Sequence, residues 1–116
     1  MPADPAAPQL NLRVETREGE TVIVCSGWLT AEFTAKFKTD VKALIPGAKR
    51  IVLDLAPLTY MDSSGIGAVV GVYVSARTAG CAFRVMNMNK HVRELLKMTH
   101  LLSVFEATSP APTNFR

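Results

Sequence analysis

"IVLDLAPLTYMDSSGIG", residues 51–67, passes from a short run of branched apolar side chains to a polar knot and then to small residues. Ile51–Leu55 is too short for a helix and apolar on both faces, the pattern of a strand buried inside a sheet. Beyond it stand Asp62, Ser63 and Ser64, side chains that accept hydrogen bonds from the open N–H groups of a helix's first turn. The apolar residues that follow predict a helix from about Ser64 to Thr78, closed by Gly80 in the left-handed conformation. A buried strand feeding a helix is the unit of an α/β fold.

The flanking sequence extends that unit in both directions. Upstream, Leu10, Leu12 and Val14 alternate with polar residues, and "TVIVCSG" at 21–27 is more continuously apolar. These predict two strands about a turn at Glu18-Gly19, the second in the sheet interior. Thr30 is placed to cap a helix in which Phe33, Phe37, Val41, Leu44 and Ile45 share a face, ended by Pro46-Gly47. Downstream, "AFRVMN" reads as a strand. Asn89 caps "KHVRELLKMTHLL", where Val92, Leu95, Leu96, Thr99 and Leu102 fall on one side, and a last short strand is expected near "VFEA" at 104–107. The expected molecule is a single α/β domain over residues 10–107, a mixed sheet of four to five strands with helices packed on it. Residues 1–9 and 108–116, rich in Pro and Ala or Pro and Thr, are expected to be loose tails.

Bulk properties narrow the function classes. A chain of 116 residues buries one real core. The net charge of +3 is spread along the chain, whereas nucleic-acid binding wants a concentrated basic stripe. Cys25 and Cys81 lie far apart inside apolar segments, as buried thiols of a reducing compartment do. "GIGAVVGVYV" falls well short of the ~20 apolar residues a membrane-spanning helix needs. "MPADPAAPQL" has neither the basic region nor the apolar core of a signal peptide, so a cytoplasmic protein is expected.

Four chemistries compete for "MDSSGIG". A metal site finds no support: His91 and His100 are nine positions apart on one expected helix, on different faces, and read as solvated residues. A dinucleotide loop would need glycine where Val70 stands after Gly65 and Gly67, and no phosphate-binding Gly-Lys-Ser/Thr triplet occurs. A serine nucleophile needs an imidazole beside it, and nothing places one near Ser63 or Ser64. No cofactor or metal is therefore expected. What stays open is a plain helix cap or a cap with a further use. Two hydroxyls occur where one suffices, and Gly65 and Gly67 each weaken the helix by roughly 1 kcal/mol relative to alanine while clearing space for another backbone. A hydroxyl at a helix start also tolerates a phosphate, because open N–H groups and the helix dipole favour an anion there.

From about Leu12 to Ala107 the sequence resembles the STAS domains of bacterial anti-sigma factor antagonists. The resemblance is carried by Ile51–Leu55 with its Asp54, the Asp62-Ser63-Ser64-Gly65-Ile66-Gly67 run, Gly80, and "VRELLKMTHL" leading to "VFE". The family often has aspartate after the Gly-x-Leu of "GWLT", where this chain has Thr30. The resemblance implies a STAS fold and a binding module that is not an enzyme. Such an antagonist binds an anti-sigma factor that is also a serine kinase and so releases a sigma factor. The kinase switches it off by phosphorylating Ser64, or alternatively Ser63, and a protein phosphatase restores it. Asp62 and Gly65 would shape the loop. Met61 and Ile66, with Trp28, Leu29 and Thr30 from the neighbouring loop, would meet the partner, core packing being the competing role of Met61, Ile66, Trp28 and Leu29. Some STAS domains instead serve, unphosphorylated, as scaffolds or accessory subunits of stress-signalling or lipid-transport complexes, in which the serines are only a cap.

Overall fold

A computed structural model describes residues 9–102 and Phe105. Five strands form one mixed sheet: β1 (Leu10–Arg17), β2 (Glu20–Leu29), β3 (Arg50–Asp54), β4 (Leu58–Met61) and β5 (Ala82–Met86). Helices α1 (Thr34–Leu44), α2 (Ser63–Thr78) and α3 (Lys90–Met98) close the core against one sheet face. That face carries Ile23, Cys25, Ile51, Leu53, Phe83 and Val85, and the helices answer with Phe37, Val41, Ile66, Val69, Val72 and Val92.

The β1–β2 hairpin turns on Glu18 and Gly19, both at positive φ (48° and 85°), the mirror-image turn whose twist suits paired strands. β2 is the interior strand, yet its burial alternates. Thr21, Ile23 and Cys25 are buried while Val22 and Val24 are half-buried, because the helices occupy only one side. Val14, near the hairpin end of β1, is exposed, so the expected apolar stripe of that strand stops at Leu12.

β3 and β4 both run parallel to β2, and they share its free edge in succession. Glu20–Val24 face β3, and Gly27–Leu29 face β4. The handover lies at Gly27, where the register shifts and φ is +93°. A side chain on Gly27 would run into the Gln9 carbonyl, which accepts the Trp28 N–H at 2.7 Å. Between the two strands the Asp54 carboxylate holds the step by accepting the Ala56 N–H (3.0 Å) and the Asn87 side-chain amide (2.9 Å). β4 itself was not legible as a strand, since four residues give periodicity too little to work on.

The helix ends follow the sequence with two corrections. Thr30 makes no side-chain cap: a 3₁₀ turn at Ala31–Phe33 precedes α1, and only then do Phe37 and Val41 turn inward. α3 is capped by Asn89 as expected (Val92 N–H to Oδ1, 2.8 Å) but stops at Met98 instead of running on to Leu102. There His100 adopts a φ of 61°, and the His100 and Leu101 N–H groups fold back onto the carbonyls of Lys97 (3.1 Å) and Leu96 (2.8 Å). α2 closes the same way with Gly80 at φ 76°, as read from the sequence. Of the expected strand at 104–107, only Phe105 is among the described residues. It is buried, and its N–H bonds the Leu101 carbonyl at 3.3 Å, a helical spacing. The rest of that stretch and both expected tails, apart from residue 9, lie outside the described residues.

Candidate functional site

The parallel strands β2, β3, β4 and β5 all end at the same edge of the sheet, and α2 starts there. Ligands and partners of open α/β sheets gather at this edge, because loops and helix starts converge on it. Asp62 is the N-cap of α2: its Oδ1 accepts the Gly65 N–H at 3.1 Å, and its carbonyl accepts the Ile66 N–H at 3.1 Å. Asp62 thus does the capping, and neither serine does. Ser63 and Ser64 occupy the first two helical positions with exposed side chains. Their N–H groups have no acceptor among the described residues, so the helix start offers two open donors beside two hydroxyls.

Gly65 has a different role from the one its sequence suggests. It is buried, and a methyl group there would collide with the Leu29 carbonyl oxygen and come within 2.8 Å of Met61 Cγ. The same Leu29 carbonyl accepts the Asp62 N–H at 3.4 Å. The start of α2 is therefore hung on the last carbonyl of β2, and glycine permits the close approach. Met61, Ile66 and Leu29 are 1%, 3% and 0% exposed, so these three side chains belong to the core and offer no contact area. Thr30 and Trp28 are half-buried and reachable.

Gly67 behaves as the sequence suggests: it is exposed, and a methyl group there would meet nothing within 4 Å. With half-buried Val70 and Val74, 53% exposed, it continues an uncharged outer face from the serines along α2. The first charged residue of the helix is Arg77. An apolar helix with one side open to water is unusual for a surface element, whose outer side ordinarily carries charge. The sequence carried this signal in the charge-free run 63–76, although it did not show which side stays exposed.

Two residues of the neighbourhood escaped the sequence reading. Tyr60 on β4 is 41% exposed and lies against Trp28 (ring centroids 5.3 Å apart). His91, expected to be merely solvated, stacks on Tyr60 at 5.4 Å with an interplanar angle of 19°, and its Nε2 hydrogen-bonds the Met61 carbonyl at 3.0 Å. No periodicity in sequence joins positions 28, 60 and 91. On the core side, Cys25 and Cys81 are both buried free thiols, and burial, helped by the Asp54 charge, pushes Cys25 up to about 12. Among the described residues no helix is long and apolar enough to cross a membrane.

A mixed five-stranded sheet of this order, with a helix opening on Asp-Ser-Ser-Gly beside the end of its central strand, defines a STAS domain. Residues 11–113 match that family, and the chain belongs to it. Among its relatives, the anti-sigma F factor antagonist of Paenibacillus polymyxa is 29% identical over 97 residues, which cover 82% of this chain and 83% of that protein. An anti-sigma factor antagonist from Mycobacterium paratuberculosis shares the fold with a TM-score of 0.75 at 19% identity, over 84% of this chain and 83% of its own. The Bacillus cell fate determinant SpoIIAA in its phosphorylated form gives 0.66 at 19% identity, over 82% and 87%.

Proposed function

We propose that this protein is an anti-sigma factor antagonist whose affinity for its anti-sigma factor is set by phosphorylation of Ser64, with Ser63 as the alternative acceptor. The observation that carries the reading is the start of α2. Two exposed hydroxyls sit beside two open N–H groups, at the head of an uncharged exposed helix face, on a site fixed by backbone and glycine contacts. The names of the relatives, and the phosphorylated state of SpoIIAA, support it.

The partner is an anti-sigma factor with serine-kinase activity, and a phosphatase reverses the mark. The protein is the substrate of both and performs no catalysis. Asp62 caps the helix and leaves the serines free to face the kinase. Phosphorylation adds about −1.5 to −2 charges at a helix start that accommodates them, so the fold survives while the uncharged contact face turns negative. Against an apolar or acidic partner surface a loss of ~3 kcal/mol is expected, about a hundredfold in affinity. Binding of the anti-sigma factor by the unphosphorylated protein frees a sigma factor, and phosphorylation releases the anti-sigma factor to recapture it. The protein acts in the cytoplasm, where sigma factors and polymerase meet.

The test pairs the protein with the anti-sigma-type kinases of its own genome. With ATP, mass spectrometry should show one added phosphate, absent in Ser64→Ala and retained in Ser63→Ala. Ser64→Asp should bind the kinase about a hundredfold more weakly with an unchanged circular dichroism spectrum. If no kinase of this class adds mass to the protein or binds it, the reading fails.

A further inference from the structure

Trp28, Tyr60 and His91 come from β2, β4 and the first turn of α3, yet they form one continuous row of rings. Within the fold the row has no evident work. Its neighbours along the strands, Leu29 and Met61, supply the core, while Trp28 and Tyr60 at the alternate positions stay partly open to solvent. Exposed Trp and Tyr are the residues most enriched among binding hot spots, since they bring large rigid contact area at little entropic cost. This row is also held in place. Met61's carbonyl anchors His91 (3.0 Å), the Leu58 carbonyl anchors the Asn89 side chain at the head of α3 (3.1 Å), and Thr59 Oγ1 donates to the Gly27 carbonyl (3.0 Å). A rigid contact surface loses little freedom on binding.

The row also lies next to the serines. Tyr60 precedes Ser63 by three residues, so at most about 11 Å of extended chain separates them. His91 bonds the carbonyl of Met61, two residues before Ser63. A stable protein contact covers about 800 Å² on each side, a patch roughly 30 Å across. A patch of that size centred on the start of α2 extends about 15 Å from it, far enough to reach Tyr60.

We infer that the Trp28–Tyr60–His91 ledge is a second docking element for the anti-sigma factor that engages Ser63 and Ser64, supplying partner-specific affinity that phosphorylation does not touch directly. The inference rests on the antagonist reading above. The phosphate site then acts as the switch and the ledge as the address: one sets whether the partner binds, the other which partner binds. Apolar side chains of the partner would lie on the ring faces, away from the charge introduced at α2.

Trp28 is the single tryptophan of the chain, which gives a direct readout. With 5-fluorotryptophan incorporated, addition of the cognate anti-sigma factor should move the one ¹⁹F resonance. Tyr60→Ala and His91→Ala should each lower affinity about tenfold or more. In the Ser64→Asp background they should lower it by the same factor again, as independent sites do. Binding by the wild type with an unmoved ¹⁹F line and unchanged affinity of both variants overturns the ledge and leaves the antagonist reading standing. Failure of the wild type to bind any anti-sigma factor overturns both. A ¹⁹F shift that instead follows the protein's own concentration assigns the ledge to a second copy of the chain and also overturns the inference. The labelled wild-type measurement needs no substitution to fold.

Discussion

Gly65 and Gly67 stand two residues apart on the first turns of α2, and the molecule uses them in opposite ways. Gly65 faces inward against a backbone carbonyl that cannot move aside, while Gly67 faces out into open space. One glycine exists for the fold, and the other costs the fold something. The inner side of this helix start is a mounting, and the outer side is a bare face, where the proposed partner contact would fall.

The comparison breaks first at Gly65. Gly65→Ala should destabilise by about 3 kcal/mol, because α2 must lift off Leu29 to admit the methyl group. Thermal denaturation should show a fall on the order of 10 °C. A variant as stable as the wild type would mean that the helix start is loosely mounted. The inner side can also be probed through Cys25, whose thiol is pushed up to about 12 from 9.0 mainly by burial. A group whose pKa is raised on folding stabilises fully below its unfolded value and loses that contribution as pH rises. Stability should therefore fall above pH 9 by about 1.4 kcal/mol per pH unit from this group, until the folded value is reached. Urea titrations at pH 9 and 10.5 should show a shallower decline in Cys25→Ala than in the wild type.

The next effect is smaller and lies between the two sides. Asp62→Ala removes the cap bond to Gly65 and should cost about 1 kcal/mol, read as a lower urea midpoint with an unchanged slope. Smallest, and opposite in sign, is Gly67→Ala. It should stabilise by up to about 1 kcal/mol while weakening anti-sigma factor binding, measured by calorimetry on the same preparation. A Gly67→Ala protein that is more stable and binds equally well would remove the functional reason for the bare face.

The same contrast explains how far the sequence could be read. β3, α2 with Gly80, the hairpin turn and the Asn89 cap were legible, because each is encoded by neighbours within one period or one turn. The Asp-Ser-Ser-Gly helix start was legible too, but which of its three polar side chains caps the helix was not, and the structure gives that place to Asp62. What escaped depends on chain segments far apart. Whether Gly65 or Gly67 faces the core is decided by where β2 ends, and Leu29, Met61 and Ile66 proved to be core for the same reason. Tyr60 and His91 meet only because α3 returns to the edge of β4. Thr30 has the chemistry of a cap, but the chain leaving β2 enters a 3₁₀ turn and its hydroxyl makes no cap bond.

The three residues Leu55, Ala56 and Pro57 between β3 and β4 act as a spacer whose count, more than its composition, carries information. In a strand, adding one residue exchanges the two faces. An insertion between Asp54 and Leu58 that slipped β4 along β2 would turn Tyr60 toward the core and Met61 toward solvent, with every hydrophobic residue still present. Length in this short step is therefore under tighter constraint than residue identity. Homologues and engineered variants should tolerate new side chains at Ala56, which is exposed, far more readily than a change of one in the number of residues there.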